Sequence, residues 1–227
     1  MALLGKAALA MWWDMAPEMR SDFEDWHSHE HFPERLNVPG FRRATRWTSS
    51  GGGEGIFVMY ELDTHEILSS APYLAHLNAP TPWSTRMMPH HRNMVRSQCR
   101  VLLSCGGSVA GHALTLRLSP RPGAAERLQA GLQDLAQRLV MRPGLVGLHL
   151  LKHESPSIAL TTEQKIRGGD RVADWVLVVC GYEMAALQVL TQDSLSEAAL
   201  QHMGAASAEF SGLYGLSYSA VPTDTSN

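Results

Sequence analysis

Short segments in which apolar and polar residues alternate recur along the chain, separated by glycine- and proline-rich punctuation. A period of two residues is typical of β-strands that bury one face. In the N-terminal half this pattern predicts four strands, and a Ser-Ser-Gly-Gly-Gly turn between the second and the third indicates a hairpin. The predicted strands span residues 6–14, 41–48, 55–62 and 94–103.

Helical segments fall between these strands. Pro17 opens a helix that is predicted to run to Asn37, because proline costs little in the first turn, where its missing N–H would be unpaired anyway. A broken helical stretch is predicted over residues 64–77, and the proline-rich residues 79–93 are predicted to form a loop. The resulting order is β-α-β-β-α-β.

The same order restarts after a Gly106-Gly107-Ser108 joint. A long polar insertion, residues 154–171, separates the two hairpin strands of this second unit. We therefore predict two units, residues 1–105 and 109–221, followed by a disordered tail at 222–227. The second unit is predicted to have strands at 111–118, 145–153, 173–182 and 210–221, with helices at 120–139 and within 183–204.

A β-α-β-β-α-β unit is the ferredoxin-like motif, an antiparallel sheet with both helices on one face. The fold class predicted is therefore α+β, with two fused ferredoxin-like repeats. Since the strands carry apolar residues on both faces, the face without helices must pack on another sheet. That sheet belongs either to the other half or to a second chain, and the sequence leaves both possibilities open.

Composition narrows the functional classes. Of the 227 residues 44% are hydrophobic and 18% charged, and 19 basic against 22 acidic residues give a net charge of −3. Without a basic patch, nucleic-acid binding is not expected. Three cysteines without metal-ligand spacing indicate buried thiols in a reducing compartment. With no apolar run near 18 residues and no convincing signal peptide, we expect a cytoplasmic protein that does not enter membranes.

The stretch from residue 22 to 47 resembles the first helix and second strand of dimeric α/β-barrel proteins of the EthD-like and stress-responsive types. The resemblance implies a dimeric-α/β-barrel-type assembly, a homodimer, and a pocket between the helices and the sheet of one half. Known members include cofactor-independent monooxygenases, cyclases, isomerases, haem proteins and proteins without known activity. The resemblance rests on Trp26, on Glu30-His31, on Pro33-Glu34-Arg35 and on Pro39-Gly40-Phe41.

The first helix carries an ionisable stripe. His27, Glu30, His31, Glu34 and Arg35 follow a spacing of i, i+3, i+4, i+7 and i+8, which places them on one face. Three interpretations stay open: a solvated helix face, a pocket wall, or a metal site built on the two histidines at i, i+4. The corresponding positions of the second half are Gly131, Leu135 and Leu139, which favours a site in the first half alone.

The pocket-wall interpretation assigns roles to individual residues. His31 would move a proton, Glu30 or Glu34 would orient it, and Arg35 would bind an oxyanion. In the 79–93 segment, Trp83 would form an apolar wall and Arg86 an anion clamp; the other interpretation, which the segment favours slightly, is an interface or capping loop with Trp83 packed into the core. The remaining substrate-binding candidates are His27, Trp26 and Tyr60.

The fourth strand adds an ambiguity. Met94, Arg96, Gln98 and Arg100 share one face, so the two arginines line either a polar cavity or a layer of salt bridges.

The function predicted is that of a small-molecule enzyme acting on an apolar or aromatic metabolite, of the cofactor-independent oxygenase, cyclase or isomerase type. No nucleotide-binding fingerprint, P-loop or nucleophile elbow occurs, so no cofactor is predicted. No metal is predicted either, because the HExxH arrangement is absent and no third ligand is evident. A non-catalytic ligand-binding or stress-related module is the alternative. A haem-binding barrel is a third possibility, with His149 or His153 as nominal axial ligands.

Overall fold

The structure is a computed structural model that describes residues 3–51 and 54–225, apart from the side chains of residues 207–211. Eight strands form one closed barrel. They are Ala7–Asp14 (β1), Phe41–Ser49 (β2), Gly55–Leu62 (β3), Arg92–Gly106 (β4), His112–Pro120 (β5), Leu145–His153 (β6), Trp175–Gly181 (β7) and Ala205–Ala220 (β8). Their order around the barrel is β1-β3-β2-β8-β5-β7-β6-β4, and every neighbouring pair is antiparallel.

The strand order divides the barrel into two four-stranded parts. In the first part β4-β1-β3-β2 lie side by side, and in the second β8-β5-β7-β6 repeat that arrangement. The seams β2–β8 and β4–β6 join the two parts within one chain. This answers the question that the sequence left open, because the second sheet is the other half of the same chain. The predicted α+β class and barrel are confirmed; the division into units at 1–105 and 109–221 stays a prediction.

Helices cover the outside of the barrel, and two of them lie where no helix was predicted. Residues 79–93 are not a plain loop, since Thr81 caps a short helix there through its side chain. The insertion contains the second of these helices. The predicted tail begins with a 3-10 turn at Pro222–Asp224, and residues 226 and 227 lie outside the described part. The α-helices are Arg20–Trp26 (α1), Phe32–Leu36 (α2), Ala71–Asn78 (α3), Pro82–Met87 (α4), Ala125–Leu139 (α5), Thr162–Arg167 (α6), Met184–Gln192 (α7) and Glu197–Met203 (α8).

The predicted first helix is continuous but not uniform. It opens with a 3-10 turn at Pro17–Met19 and widens into a π turn at His27–His31, where the Phe32 N–H donates to the His27 carbonyl. Pro33 explains the widening, because it has no N–H to donate and its ring excludes the carbonyl four residues earlier. Turns of this kind are frequent at functional sites.

Buried apolar side chains form three clusters. One lies between the first-half helices and their sheet, and includes Phe23, Trp26 and Phe32. A second, rich in leucine, lies between α5, α7, α8 and the second-half sheet. The third fills the barrel interior, where Trp12 and Trp47 both stack on Phe57. Alternate residues of each strand therefore serve two cores, as expected for a sheet that is covered on both faces.

Candidate functional site

Three histidines of the first half, His27, His31 and His91, converge on a small cavity. His27 and His31 lie in the π turn, and His91 immediately precedes β4; all three are buried. The cavity has a volume of about 30 Å³, enough for one or two water molecules. The rest of its lining is mostly apolar and comprises Met11, Trp13, Trp26, Met88, Met94 and the charged Arg167.

The histidine rings are packed against each other and against tryptophan. The rings of His27 and His31 stack with centroids 5.3 Å apart, and Trp26 lies 4.5 Å from the His31 ring. Among the described residues, Nδ1 of His27 and Nδ1 of His31 have no hydrogen-bond partner. A buried polar atom without a partner costs about 1–3 kcal/mol, so each of these nitrogens is poised to bind something else.

Burial keeps the three imidazoles neutral. It lowers the pKa of His27 and of His31 well below 6.5, and for His31 the positive charge of Arg35 acts in the same direction. Burial likewise lowers the pKa of His91 to about 3. The Glu34 carboxylate, 3.7 Å from His31 Nδ1, does not reverse this, because it lies nearer to Arg35, at 3.1 Å. A neutral imidazole offers one acceptor nitrogen and one N–H donor.

A buried ionic network joins the first helix to the insertion. Arg35 contacts Glu34 and makes a short hydrogen bond to Glu163, which also lies 3.4 Å from Arg167; Arg167 in turn contacts Asp170 at 3.0 Å. Burial by itself would lower the pKa of Arg35, but the carboxylates of Glu163 and Glu34 raise it above its usual value. Since Arg35 is 3% exposed, the solvated-face interpretation of the helix stripe is wrong for this residue.

The insertion is therefore part of the site, which the sequence interpretation missed. Helix α6 places Glu163 against Arg35 and Arg167 against the histidine cavity. A signal for it was present, since Thr161 and Gln164 form a capping box and Glu163 and Arg167 have i, i+4 spacing.

Glu30 lies in the region predicted, but its contacts differ from the role proposed for it. Its carboxylate accepts hydrogen bonds from Trp26 Nε1 at 3.1 Å, from Thr81 at 2.5 Å and from Ser84 at 3.5 Å. These bonds connect α4 to the first helix and fix the indole of Trp26. The carboxylate near His31 is Glu34, so Glu30 positions the cavity wall rather than the histidine.

The other predicted residues divide between core and surface. Tyr60 is buried, burial raises its pKa, and its hydroxyl has no partner in the described part of the chain. Trp83 packs on the first-half core and donates to Asp22 at 3.2 Å. The Arg86 side chain is 60% exposed and lies 4.0 Å from Asp22. The structure thus does not bring Arg86 to the cavity, and Trp83 fits the capping interpretation.

The equivalent helix of the second half, α5, holds no such cluster. Leu135 and Leu139, at the positions that match His31 and Arg35, are buried in the leucine-rich core. A Cβ added to Gly131 would lie 2.9 Å from Met203, which shows how closely the helices pack there.

The two histidines named as nominal axial ligands of haem do not fit that role. Both ring nitrogens of His149 are hydrogen-bonded, to Ser104 and to the Gly107 carbonyl, and both of His153 are bonded as well. Neither can ligate iron without breaking those bonds. In the part of the chain that was described, no group of three or more His, Cys, Asp or Glu side chains is arranged to hold a metal ion.

Two thiols are inert by burial. Cys99 and Cys180 lie in the barrel interior, and burial raises the pKa of both, that of Cys180 to about 12.

None of the described helices combines the length and apolar character needed to cross a bilayer.

Comparison with known proteins shows the fold. No protein-family model and no curated protein matches the chain. Among solved structures, an anthrone oxidase-like protein superposes with a TM-score of 0.66 at 11% identity, over 100% of this chain and 98% of the other. A proposed monooxygenase of Lactobacillus acidophilus gives 0.58 at 8% identity, over 96% and 97%. A proposed monooxygenase of Fusobacterium nucleatum gives 0.58 at 6%, over 94% and 93%. This chain has the ferredoxin-like α/β-barrel fold. Identities this low establish the fold alone.

Proposed function

We propose that this chain is a small-molecule enzyme of the cofactor-independent oxygenase, cyclase or isomerase type, with its site at the histidine cavity of the first half. The observation that carries the proposal is the convergence of His27, His31 and His91 on one cavity, where two ring nitrogens lack a partner among the described residues. The same proposal has three further parts. The chain belongs to the EthD-like or stress-responsive subgroup, it arose by duplication, and it assembles as a homodimer.

The proposed chemistry is the abstraction of an acidic proton from a carbon atom or a hydroxyl group of the substrate. A C–H or O–H bond of the substrate breaks, the proton goes to an imidazole nitrogen of His31, and the electron pair stays on the substrate as an enolate or phenolate. Arg167, which lines the cavity, and Arg35, whose charge acts on His31, would stabilise this oxyanion while they remain paired with their carboxylates. Formation of the anion also favours the imidazolium, which offsets the low resting basicity of a buried histidine.

Access requires a displacement of α6. The histidine cavity holds no more than a small molecule such as water, whereas ligand sites typically measure about 300–1,000 Å³. Arg167 of α6 forms part of its wall, so moving this helix outward would enlarge the cavity.

An anthrone is a suitable first substrate, because it is an aromatic carbon acid and one structurally similar protein is described as anthrone oxidase-like. Oxidation by O₂ gives the anthraquinone and water, so oxygen uptake and quinone absorbance both report turnover. We expect His31→Gln to lower kcat about 100- to 10,000-fold with little change in ligand affinity. His29→Gln, at an exposed histidine of the same turn, is the matched control and should retain full activity.

Equal turnover by His31→Gln and the wild type would contradict the assignment of His31. If the wild type binds the anthrone without accelerating its oxidation, the non-catalytic ligand-binding module is the better description.

A further inference from the structure

A second cavity lies between β4, the end of β6 and the insertion. Its volume is about 320 Å³, roughly ten times that of the histidine cavity and at the lower end of the range for ligand sites. Arg96, Gln98 and His153 line it from the strands, while Pro156, Ile158 and Gln164 line it from the insertion.

Arg96 brings a buried positive charge to this cavity. The residue is 6% exposed, and its Nη2 donates to the Tyr73 hydroxyl at 3.0 Å. Within the described residues, no carboxylate lies within ion-pair distance of it. Arg35, which is equally buried, has two carboxylate partners, and so does the exposed Arg100 further along the same face of β4. A buried guanidinium without an anion is costly, and an anionic ligand would remove that cost.

Gln98 adds a second donor beside it. The residue is 7% exposed, and its Nε2 has no hydrogen-bond partner among the described residues. Because Arg96 and Gln98 are two residues apart on a strand, their side chains point to the same face. Asp170, an acid in the lining, is held by Arg167 at 3.0 Å, so its charge is already compensated.

Part of the cavity lining beyond the strands is apolar. Ile158 and Pro156 form its wall, and Leu160 and Val172 lie towards solvent, 70% and 54% exposed. Large apolar side chains exposed around a cavity favour a ligand with an apolar body.

We propose that this cavity binds a small organic carboxylate with an apolar body. The carboxylate lies on the Arg96 guanidinium and the Gln98 amide, and the body contacts Ile158 and Leu160. A guanidinium matches a carboxylate in shape and charge, and the amide N–H donates to the same group. None of these residues belongs to the histidine cavity, so the proposal stands independently of the proposed reaction.

The test is calorimetric titration of the full chain with 2-naphthoate, with 2-naphthamide as the uncharged analogue. We expect saturable binding of one 2-naphthoate per chain and at least tenfold weaker binding of the amide. Arg96→Met and the nearly isosteric Gln98→Leu should each weaken 2-naphthoate binding about 10- to 100-fold. Arg92→Met removes an exposed arginine of the same strand, paired with Glu54, and should leave the affinity unchanged.

Equal affinity for acid and amide, or no binding of the acid, would overturn the proposal. Inorganic phosphate that displaces 2-naphthoate at equal concentration would also overturn it, because the site would then select charge without the apolar body. If Arg96→Met fails to fold, Gln98→Leu and the comparison of 2-naphthoate with 2-naphthamide still test the carboxylate site. Neither measurement depends on turnover at the histidines.

Discussion

Replacing Glu163 with glutamine should destabilise the folded protein by about 3 kcal/mol. Glu163 is 3% exposed and bridges two buried guanidinium groups, those of Arg35 and Arg167. Removing one partner of a buried ion pair typically costs about 3–5 kcal/mol, because the other charge remains buried without compensation. Arg35 keeps Glu34 and Arg167 keeps Asp170, which places the loss at the lower end of that range.

The loss is measurable by urea and thermal denaturation followed by circular dichroism. For a chain of this length, 3 kcal/mol corresponds to a fall in Tm of roughly 6–12 °C. The matched control is Glu66→Gln. Glu66 is one of two carboxylates shared by the exposed Arg100, and a surface pair of this kind contributes only about 0–1 kcal/mol.

A double-mutant cycle tests the cause. The cause proposed is the charge of Arg35, which stays buried without Glu163. If this charge causes the loss, the free energy of unfolding of the double variant Arg35→Met/Glu163→Gln should exceed the value expected from adding the two single losses by at least about 1 kcal/mol. Hydrogen exchange should accelerate in α6 more than in β7, since α6 depends on this contact. A cost no greater than that of Glu66→Gln, or additive single losses, would refute the reasoning.

Between pH 7.5 and 5.5 burial of His91 should lower the free energy of unfolding by about 1.4 kcal/mol, because below its ordinary pKa of 6.5 the imidazole charges in the unfolded chain but stays neutral when buried. In urea titrations His91→Gln should therefore lose about 1.4 kcal/mol less stability than the wild type over this pH range, and an equal loss in the two proteins would contradict the prediction. Gly40→Ala should lower Tm more than Gly123→Ala. Both glycines have a positive φ, 96° at Gly40 and 75° at Gly123. A Cβ at Gly40 would lie 2.2 Å from the Ile67 side chain, whereas no described atom lies within 4 Å of a Cβ at Gly123. Equal losses would refute that distinction. Cys105, partly exposed, should be the first thiol to react with a disulfide reagent at pH 8, since the two other thiols are fully buried; rapid reaction of all three in the native protein would disprove this.

The sequence predicted the fold closely where local patterns decide it. The strands predicted at 55–62 and 145–153 have those bounds in the structure. The helix predicted from Pro17 begins there, although the π turn before Pro33 was missed because the helix was treated as uniform. These elements depend on periodicity and on turn residues, which a single sequence shows directly.

The candidate site was predictable only in part. The stripe containing His27 and His31 was found from its spacing, and burial then showed that it faces the protein interior. The surroundings of Arg35 and Arg96 depend on an insertion more than 55 residues away in sequence, and such contacts leave no local periodic signal. Helix α6 did leave one, the capping box at Thr161, which was masked by the polar and glycine-rich composition around it.

Closure of the barrel by a single polypeptide removes a symmetry constraint. When two identical subunits build such a barrel, any substitution appears in both halves, so a buried ionic cluster in one half is imposed on the other. A barrel built from one chain allows the two halves to differ, and here one helix presents His31 while the corresponding helix presents Leu135. Every strand of the described barrel also has a bonded neighbour on each side, so a homodimer would have to associate through helices and loops.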